Sequence, residues 1–259
     1  MTKKTFVSTA LVAALLMVFC LPGAAQQVYL GVAQAGVAPV GTEEPCILNS
    51  CLMYAGDFNP NGQNPDGLWN ANNTSFGILG VVYVPFTIPK KFKGAKGKTD
   101  WNVQGLFVNE LMEDFGTGFH VSSASWSIVQ GVADGGSPTG GQVKTICSGT
   151  AVPTLTPTGR GFLGFFSEQT ILVTGINCPI LEAGSYWMTL VPTTSNLAFL
   201  SDVEDSTPAN MQGPGSEPAD QSFFVSQAFG FPNFSNTSTV CGNLGCDSFS
   251  AGIIGTATH

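Results

Sequence analysis

Short runs of alternating apolar and polar positions recur through residues 26–259. No long segment repeats apolar residues with the 3.6-residue period of a helix. Residues 184–192 show the clearest pattern: a Gly-Ser turn, six aromatic, β-branched or long apolar residues, and Pro192, which is predicted to end the strand. Alternate side chains share one face of a strand, so this strand has an almost wholly apolar face that a second layer must cover. That face consists of Tyr186, Met188 and Leu190.

Other segments repeat this strand-like pattern between turns rich in Gly and Pro. Residues 119–132 place His120, Ala124, Trp126 and Ile128 on a dry face and a row of serines on a wet one. The spacing of these segments predicts an all-β chain that forms a two-layer antiparallel β-sandwich, jelly-roll-like in its connections. Further strands are predicted at residues 76–85, 101–109, 142–148, 161–166, 170–176, 197–200 and 222–231.

Composition supports a folded chain. Hydrophobic residues make up 43% of the sequence, with 19 Phe, which disfavours disorder. Charged residues are only 10% of the chain, whereas Gly (32) and Pro (16) are abundant, as expected for many strands joined by turns.

Residues 1–25 have the features of a signal peptide. Two lysines lie near the start, an apolar run covers residues 10–19, and small residues at 23–25 predict cleavage before Gln26. Lipid attachment at Cys20 is the alternative, and it is disfavoured because a Phe precedes that cysteine. We therefore expect a protein that is secreted, periplasmic or at the cell surface.

The remaining sequence divides into three parts. Residues 26–53 form an N-terminal segment, residues 54–248 the β-sandwich domain, and residues 249–259 a C-terminal tail. No later run approaches the roughly 20 apolar residues of a membrane helix, so no integral membrane segment is expected in the mature chain. Cleavage leaves 7 basic residues against 17 acidic ones, which opposes binding to nucleic acid.

Six cysteines follow the signal peptide, and an even number in an exported chain favours disulfides. Two pairs share a C-x4-C spacing, so the simplest pairing joins the members of each and leaves the other two cysteines for each other. Six cysteines allow fifteen pairings, and zinc binding is a competing interpretation that lacks the usual C-x2-C spacing. The cysteines are Cys46, Cys51, Cys147, Cys178, Cys241 and Cys246.

A loop rich in Asn, Asp, Gly and Pro spans residues 54–73. Asp57, Asn59 and Asn61 match the first half of a calcium loop, in which alternate oxygens converge on one cation. The twelfth position is Leu68 instead of Glu, so Asp66 would have to complete the site. The sequence therefore predicts a calcium site at Asp57, Asn59, Asn61 and Asp66, with an Asx-turn loop as the alternative.

Five of the seven mature basic residues lie in one predicted hairpin tip. A polyanion-binding site is one interpretation. A solvated tip that keeps sheet edges from pairing with other chains is the favoured one. The residues are Lys90, Lys91, Lys93, Lys96 and Lys98.

Three stretches together resemble a family of exported bacterial proteins. They are residues 54–61, the Trp126-Ser127-Ile128 strand, and residues 181–191 in the pattern L-x-A-G-x-Y-W-M-x-L-V. In these the chain is similar to β-sandwich ectodomains of surface proteins with PEP-CTERM or related choice-of-anchor signals. The resemblance implies an extracytoplasmic, non-enzymatic module. Residues 251–259 lack the Pro-Glu-Pro box, so anchoring by that route is not predicted.

The functional expectation is a non-catalytic module of the cell surface or extracellular matrix whose partner is a glycan or a surface or matrix protein. A carbohydrate-binding module is one alternative, with Trp69 in the Asn-rich loop as the exposed aromatic residue. A secreted hydrolase is another, which would need His120 or a pair of carboxylates. The candidate carboxylates are Glu110, Glu113, Asp114, Glu168 and Glu182.

Overall fold

A computed structural model gives the fold of the residues that form the sandwich. The predicted signal peptide and most of the N-terminal segment lie outside the described part. The structure describes residues 51–56, 71–74, 79–89, 100–113, 118–162, 166–180, 182–201, 203, 221–240 and 248–258.

Antiparallel strands make up almost all of this structure, with one short helix, α1 (Thr237–Val240). In chain order the strands are β1 (Cys51–Tyr54), β2 (Ala71–Asn72), β3 (Val81–Ile88), β4 (Asp100–Glu113), β5 (Val121–Gln130), β6 (Lys144–Ala151), β7 (Thr154–Phe162), β8 (Phe166–Ile180), β9 (Gly184–Thr194), β10 (Ala198–Leu200), β11 (Phe223–Ser226), β12 (Phe231–Asn236) and β13 (Ala251–Thr258).

The strands form two sheets. In the seven-stranded sheet, β4 pairs with β8 along one side, while β13 and β10 lie end to end along its other side. Strands β1 and β2 then pair with β13 and β10, and β7 pairs with β8. The six-stranded sheet has the order β12-β11-β3-β9-β5-β6. The predicted two-layer antiparallel sandwich is confirmed.

The core lies between the two sheets and is built from alternate residues of each strand. Phe86 stacks on Tyr186 with ring centroids 5.5 Å apart and on Trp101 at 6.1 Å, which joins the sheets through aromatic contacts. Met188 and Leu190 are buried beside them. The apolar face predicted for residues 184–192 is therefore covered by a second layer, as expected.

A second apolar cluster covers the outer face of the six-stranded sheet, and its aromatic members are Tyr83, Trp187, Phe223 and Phe234. The loop between β5 and β6 folds over this cluster. There Gly135 N donates to Phe234 O at 2.8 Å, and Phe234 N donates to Gly136 O at 2.9 Å. Gly135 has a positive φ of 73°, which favours glycine at this turn.

The disulfide between Cys147 and Cys178 joins β6 in one sheet to β8 in the other. Cys178 is fully buried in the core. The pair left over by the C-x4-C spacing is therefore bonded. Cys51 is disulfide-bonded as well. Its predicted partner Cys46 lies outside the described residues, as do Cys241 and Cys246.

Two prolines do not end strands as predicted. Strand β3 continues through Pro85 to Ile88, and β9 continues through Pro192 to Thr194. Among the described strands, Pro85 has a partner only in β9, because β11 pairs with residues 81–83 of β3. Pro192 has a partner only in β5, because β3 pairs with residues 184–188 of β9. Proline is tolerated there because only one side of the strand needs donors.

Two predicted strands each span the ends of two observed strands. Residues 161–166 cover the end of β7 and the start of β8, which pair with each other. Residues 222–231 include the turn 227–230 between β11 and β12, where Gly230 has a φ of 81°. Apolar residues continue through both segments, so hydrophobicity alone did not mark the strand ends.

The predicted domain limits of 54 and 248 are too narrow. Residues 249–259 were expected to form a tail, yet β13 lies inside the seven-stranded sheet between β1 and β4. Small residues make this possible, because a side chain at Gly252 would meet the Phe107 ring, and one at Gly255 would meet the main chain of Asn102.

Candidate functional site

The predicted ligand residues Asp57, Asn59, Asn61 and Asp66, and the predicted glycan contact Trp69, all lie outside the described residues. The structure does describe both ends of their loop, Gly56 after β1 and Ala71 at the start of β2. Because β1 pairs with β13 and β2 with β10, and these two lie end to end beside β4, both loop ends lie at one edge of the seven-stranded sheet.

The first loop end is fixed by a buried polar network. Ser250 Oγ donates to Gly56 O at 2.6 Å, and Asn109 Nδ2 donates to Ser250 Oγ at 2.8 Å. Thr170 Oγ1 in turn donates to Asn109 Oδ1 at 2.7 Å. Gly56 has a φ of 117°, a conformation that favours glycine and turns the chain out of β1.

The second loop end is fixed by Asn73, which is buried. Its Nδ2 donates to Glu110 Oε1 at 2.6 Å and to Leu190 O, in the opposite sheet, at 2.8 Å. Its Oδ1 accepts from Val82 N at 3.2 Å. At the point where the chain leaves β2, this one side-chain amide therefore forms hydrogen bonds to β3, β4 and β9.

Glu110 is an unusual core residue, since its carboxyl is fully buried between the sheets. Oε1 accepts from Asn73, whereas Oε2 has no hydrogen-bond partner among the residues that the structure describes. Burial raises the pKa of Glu110 well above its usual value, and the hydrogen bond from Asn73 lowers it by less. This environment favours the neutral form of the carboxyl over the ionised form.

Replacing Glu110 with Gln is expected to change how stability depends on pH. The folded pKa is raised, so the wild-type carboxyl stabilises the fold most below about pH 4 and loses that contribution as pH rises towards the folded pKa. Gln keeps the oxygen that accepts from Asn73 and does not ionise. Urea unfolding at pH 4, 5.5 and 7 measures the free energy of unfolding of both proteins. The value for E110Q relative to wild type should rise with pH by up to about 1.4 kcal/mol per pH unit within that range.

The matched control is Glu182→Gln, which neutralises an exposed carboxyl. Its stability should stay close to that of the wild type, because the side chain is exposed. Parallel stability curves for wild type and E110Q between pH 4 and 7 would contradict a raised pKa of Glu110 in the folded protein.

Glu168 is fully buried on the opposite face of the same sheet and accepts three side-chain hydrogen bonds. Thr158 Oγ1 donates to Oε2 at 2.7 Å, and Ser201 Oγ donates to Oε1 at 2.6 Å. Arg160 Nε also donates to Oε2 and forms an ion pair with it. This carboxylate therefore joins β7, β8 and the chain after β10.

The strand register separates two of the candidate hydrolase carboxylates, Glu110 and Glu168, whereas Glu113, which pairs with Phe166, lies on the same face as Glu168 and diagonally across from it. Glu110 pairs with Gln169 and Leu111 with Glu168, so the Glu110 and Glu168 side chains point to opposite faces of the sheet. Glu182 is exposed beyond β8, and Asp114 is outside the described residues. His120 is also exposed and precedes β5, so its predicted place on the dry face with Ala124 is wrong.

Sequence reasoning missed the residues that fix the loop. The signal that could have found them is the Asn109-Glu110 pair inside the otherwise apolar run of β4. Two adjacent polar residues in a central strand point to both faces, and each then requires a buried partner.

Other predicted features remain untested or lie elsewhere. The five lysines of the predicted hairpin tip are outside the described residues. Within the described ranges, no group of three or more His, Cys, Asp or Glu side chains is placed to hold a metal. In the same ranges, no helix has the length and apolar character of a membrane span.

Comparison of the chain with protein-family models, characterised proteins and solved structures gives no match. Any functional assignment therefore depends on the residues and geometry described above.

Proposed function

We propose that this protein is an exported, non-catalytic β-sandwich module of the cell surface or surrounding matrix that acts by binding a glycan or a surface protein. Its binding element is the loop of residues 57–70. The resemblance of residues 54–61 and 181–191 to surface ectodomains agrees with this role.

The observation that carries the proposal is the disulfide between Cys147 and Cys178, which crosses from one sheet to the other. Disulfides of this structural kind form and persist in oxidising compartments. A signal peptide at residues 1–25 would deliver the chain to such a compartment. Deleting these residues should leave the protein in the cytosol with reduced thiols.

The placement of the loop supports a binding role. Gly56 and Asn73 hold its two ends through buried hydrogen bonds. A long loop whose ends are fixed on a rigid sheet is a common carrier of binding residues. The buried carboxyls Glu110 and Glu168, by contrast, are engaged within the fold on separate faces.

Truncating Trp69 should weaken binding to a glycan. An aromatic anchor at the centre of an interface contributes about 2 kcal/mol or more, so Trp69→Ala should bind any glycan selected on an array at least about thirtyfold more weakly. Isothermal calorimetry measures the loss, and Trp187→Phe, which changes a half-buried Trp on the opposite sheet, is the matched control.

Calcium is tested in the same experiment. If the loop binds calcium through Asp57, Asn59, Asn61 and Asp66, a chelator should lower both the melting temperature and the glycan affinity. A glycan that binds wild type and Trp69→Ala equally would exclude this loop as the glycan site. If the protein binds no glycan on the array, a surface or matrix protein is the remaining class of ligand in this proposal.

A further inference from the structure

Strand β6 is an open edge of the six-stranded sheet. It pairs with β5 on one side. Among the described residues, no main-chain hydrogen bond joins the other side of β6 to another strand. Such an edge presents a row of donors and acceptors that can pair with an added strand.

The other edge of this sheet is closed. Strand β12 is covered along its outer side by Gly135 and Gly136, whose main chains exchange two hydrogen bonds with Phe234. Asp134 Oδ1 also accepts from Asn236 N at 3.1 Å. In the other sheet, edge strand β7 contains Pro157, which has no N–H to donate to an added strand.

Strand β6 has one β-bulge, where its pairing shifts between Ile128 and Val129 of β5, and its side chains offer little other protection of the edge. Lys144 is the single charged residue of the strand, at its start, and residues 145–151 are uncharged. Val152, directly after the strand, is 80% exposed. The Trp126 indole lies across Gly149, where an added Cβ would stand 2.8 Å from the ring, so an aromatic surface also reaches this edge.

We propose that β6 is a strand-addition interface for a second copy of this chain, which adds its own β6 in antiparallel orientation across a two-fold axis. Two sheets then join as one continuous sheet of two protomers. The proposal stands on the geometry of β6 and does not require the proposed glycan-binding role.

The charge and chemistry of β6 favour a second copy as the occupant. The chain carries a net charge of −8, so two copies repel over most of their surface, whereas β6 has no acidic residue. Antiparallel self-pairing places the two Lys144 side chains at opposite ends. Hydroxyls can both donate and accept, so Thr145, Ser148 and Thr150 are complementary to themselves.

The disulfide also suits β6 to this role. Cys147, in the middle of the strand, is bonded to Cys178 in the opposite sheet, which holds the edge in place before a partner arrives. A preorganised edge loses less entropy on association. With one open edge in this sheet, the pairing is isologous and closes at the dimer.

Sedimentation velocity of the disulfide-bonded chain, over a concentration series up to about 100 µM, tests the interface. Wild type should form dimers. The double variant Ser148→Lys with Thr150→Lys puts like charges near the centre of the pairing and should dimerise at least about tenfold more weakly. Mixing it with Ser148→Glu, Thr150→Glu chains should restore dimers.

Thr193→Lys is the matched control, because it adds the same charge at an exposed site of the central strand β9. Its dimerisation should equal that of wild type, and melting curves should show all variants folded. A wild type that stays monomeric throughout the series, a Lys double variant that dimerises like wild type, or open-ended polymers would each overturn the proposal.

Discussion

Replacing both Cys147 and Cys178 with Ala should lower the free energy of unfolding by about 4 kcal/mol. The bridge closes a loop with a sequence separation of 31, and the loop-entropy estimate for that length gives about this value. The loss is large because the bond restricts the conformations of a long segment in the unfolded chain. Urea unfolding at equilibrium, in non-reducing buffer, measures it.

Non-reducing buffer is essential, because a reductant would also break the disulfide of Cys51. Thr193→Ala, at an exposed position, serves as the control and should change stability by less than about 0.5 kcal/mol. A double Ala variant within about 1 kcal/mol of wild type would mean that the bridge restricts the unfolded chain much less than the loop-entropy estimate requires.

Replacing Glu168 with Ala should cost about 3–5 kcal/mol, the usual penalty for removing one partner of a buried ion pair. The substitution takes away the acceptor of Thr158, Arg160 and Ser201 at once. The Arg160 guanidinium, whose side chain is only 11% exposed, would then lose its carboxylate partner. Denaturant unfolding of the purified variant provides the measurement.

Glu182→Ala removes the same charge from an exposed site and should be nearly neutral. The double variant Arg160→Ala, Glu168→Ala should lose less stability than the sum of the two single variants, because the residues interact directly. Additive losses would show that Arg160 and Glu168 contribute independently.

Much of the fold could be predicted from alternation alone. The apolar face of β9 follows from the two-residue period of a strand, and the Cys147–Cys178 pairing follows from the spacing of the remaining cysteines. The prolines were misjudged because their effect depends on whether a neighbouring strand needs their N–H. That information lies in the pairing of β3 with β9 and not in the local sequence.

The residues around the candidate site were harder to predict, since their partners are distant in sequence. Asn109 meets Ser250 across 141 residues, and Asn73 meets Leu190 across 117. Hydrogen bonds of this range leave no spacing motif. Only the two adjacent polar residues inside the apolar run of residues 106–112 in β4 indicated that such partners must exist.

The position of β13 has a consequence for how the molecule forms. This strand fills the place between β1 and β4, and its partner residues in β4 precede it by about 150 positions. The seven-stranded sheet cannot be completed until β13 has been synthesised, and until then residues 100–108 of β4 lack the strand with which they pair. Contacts of such long sequence range slow folding, because the cost of closing the intervening chain comes before the contacts form.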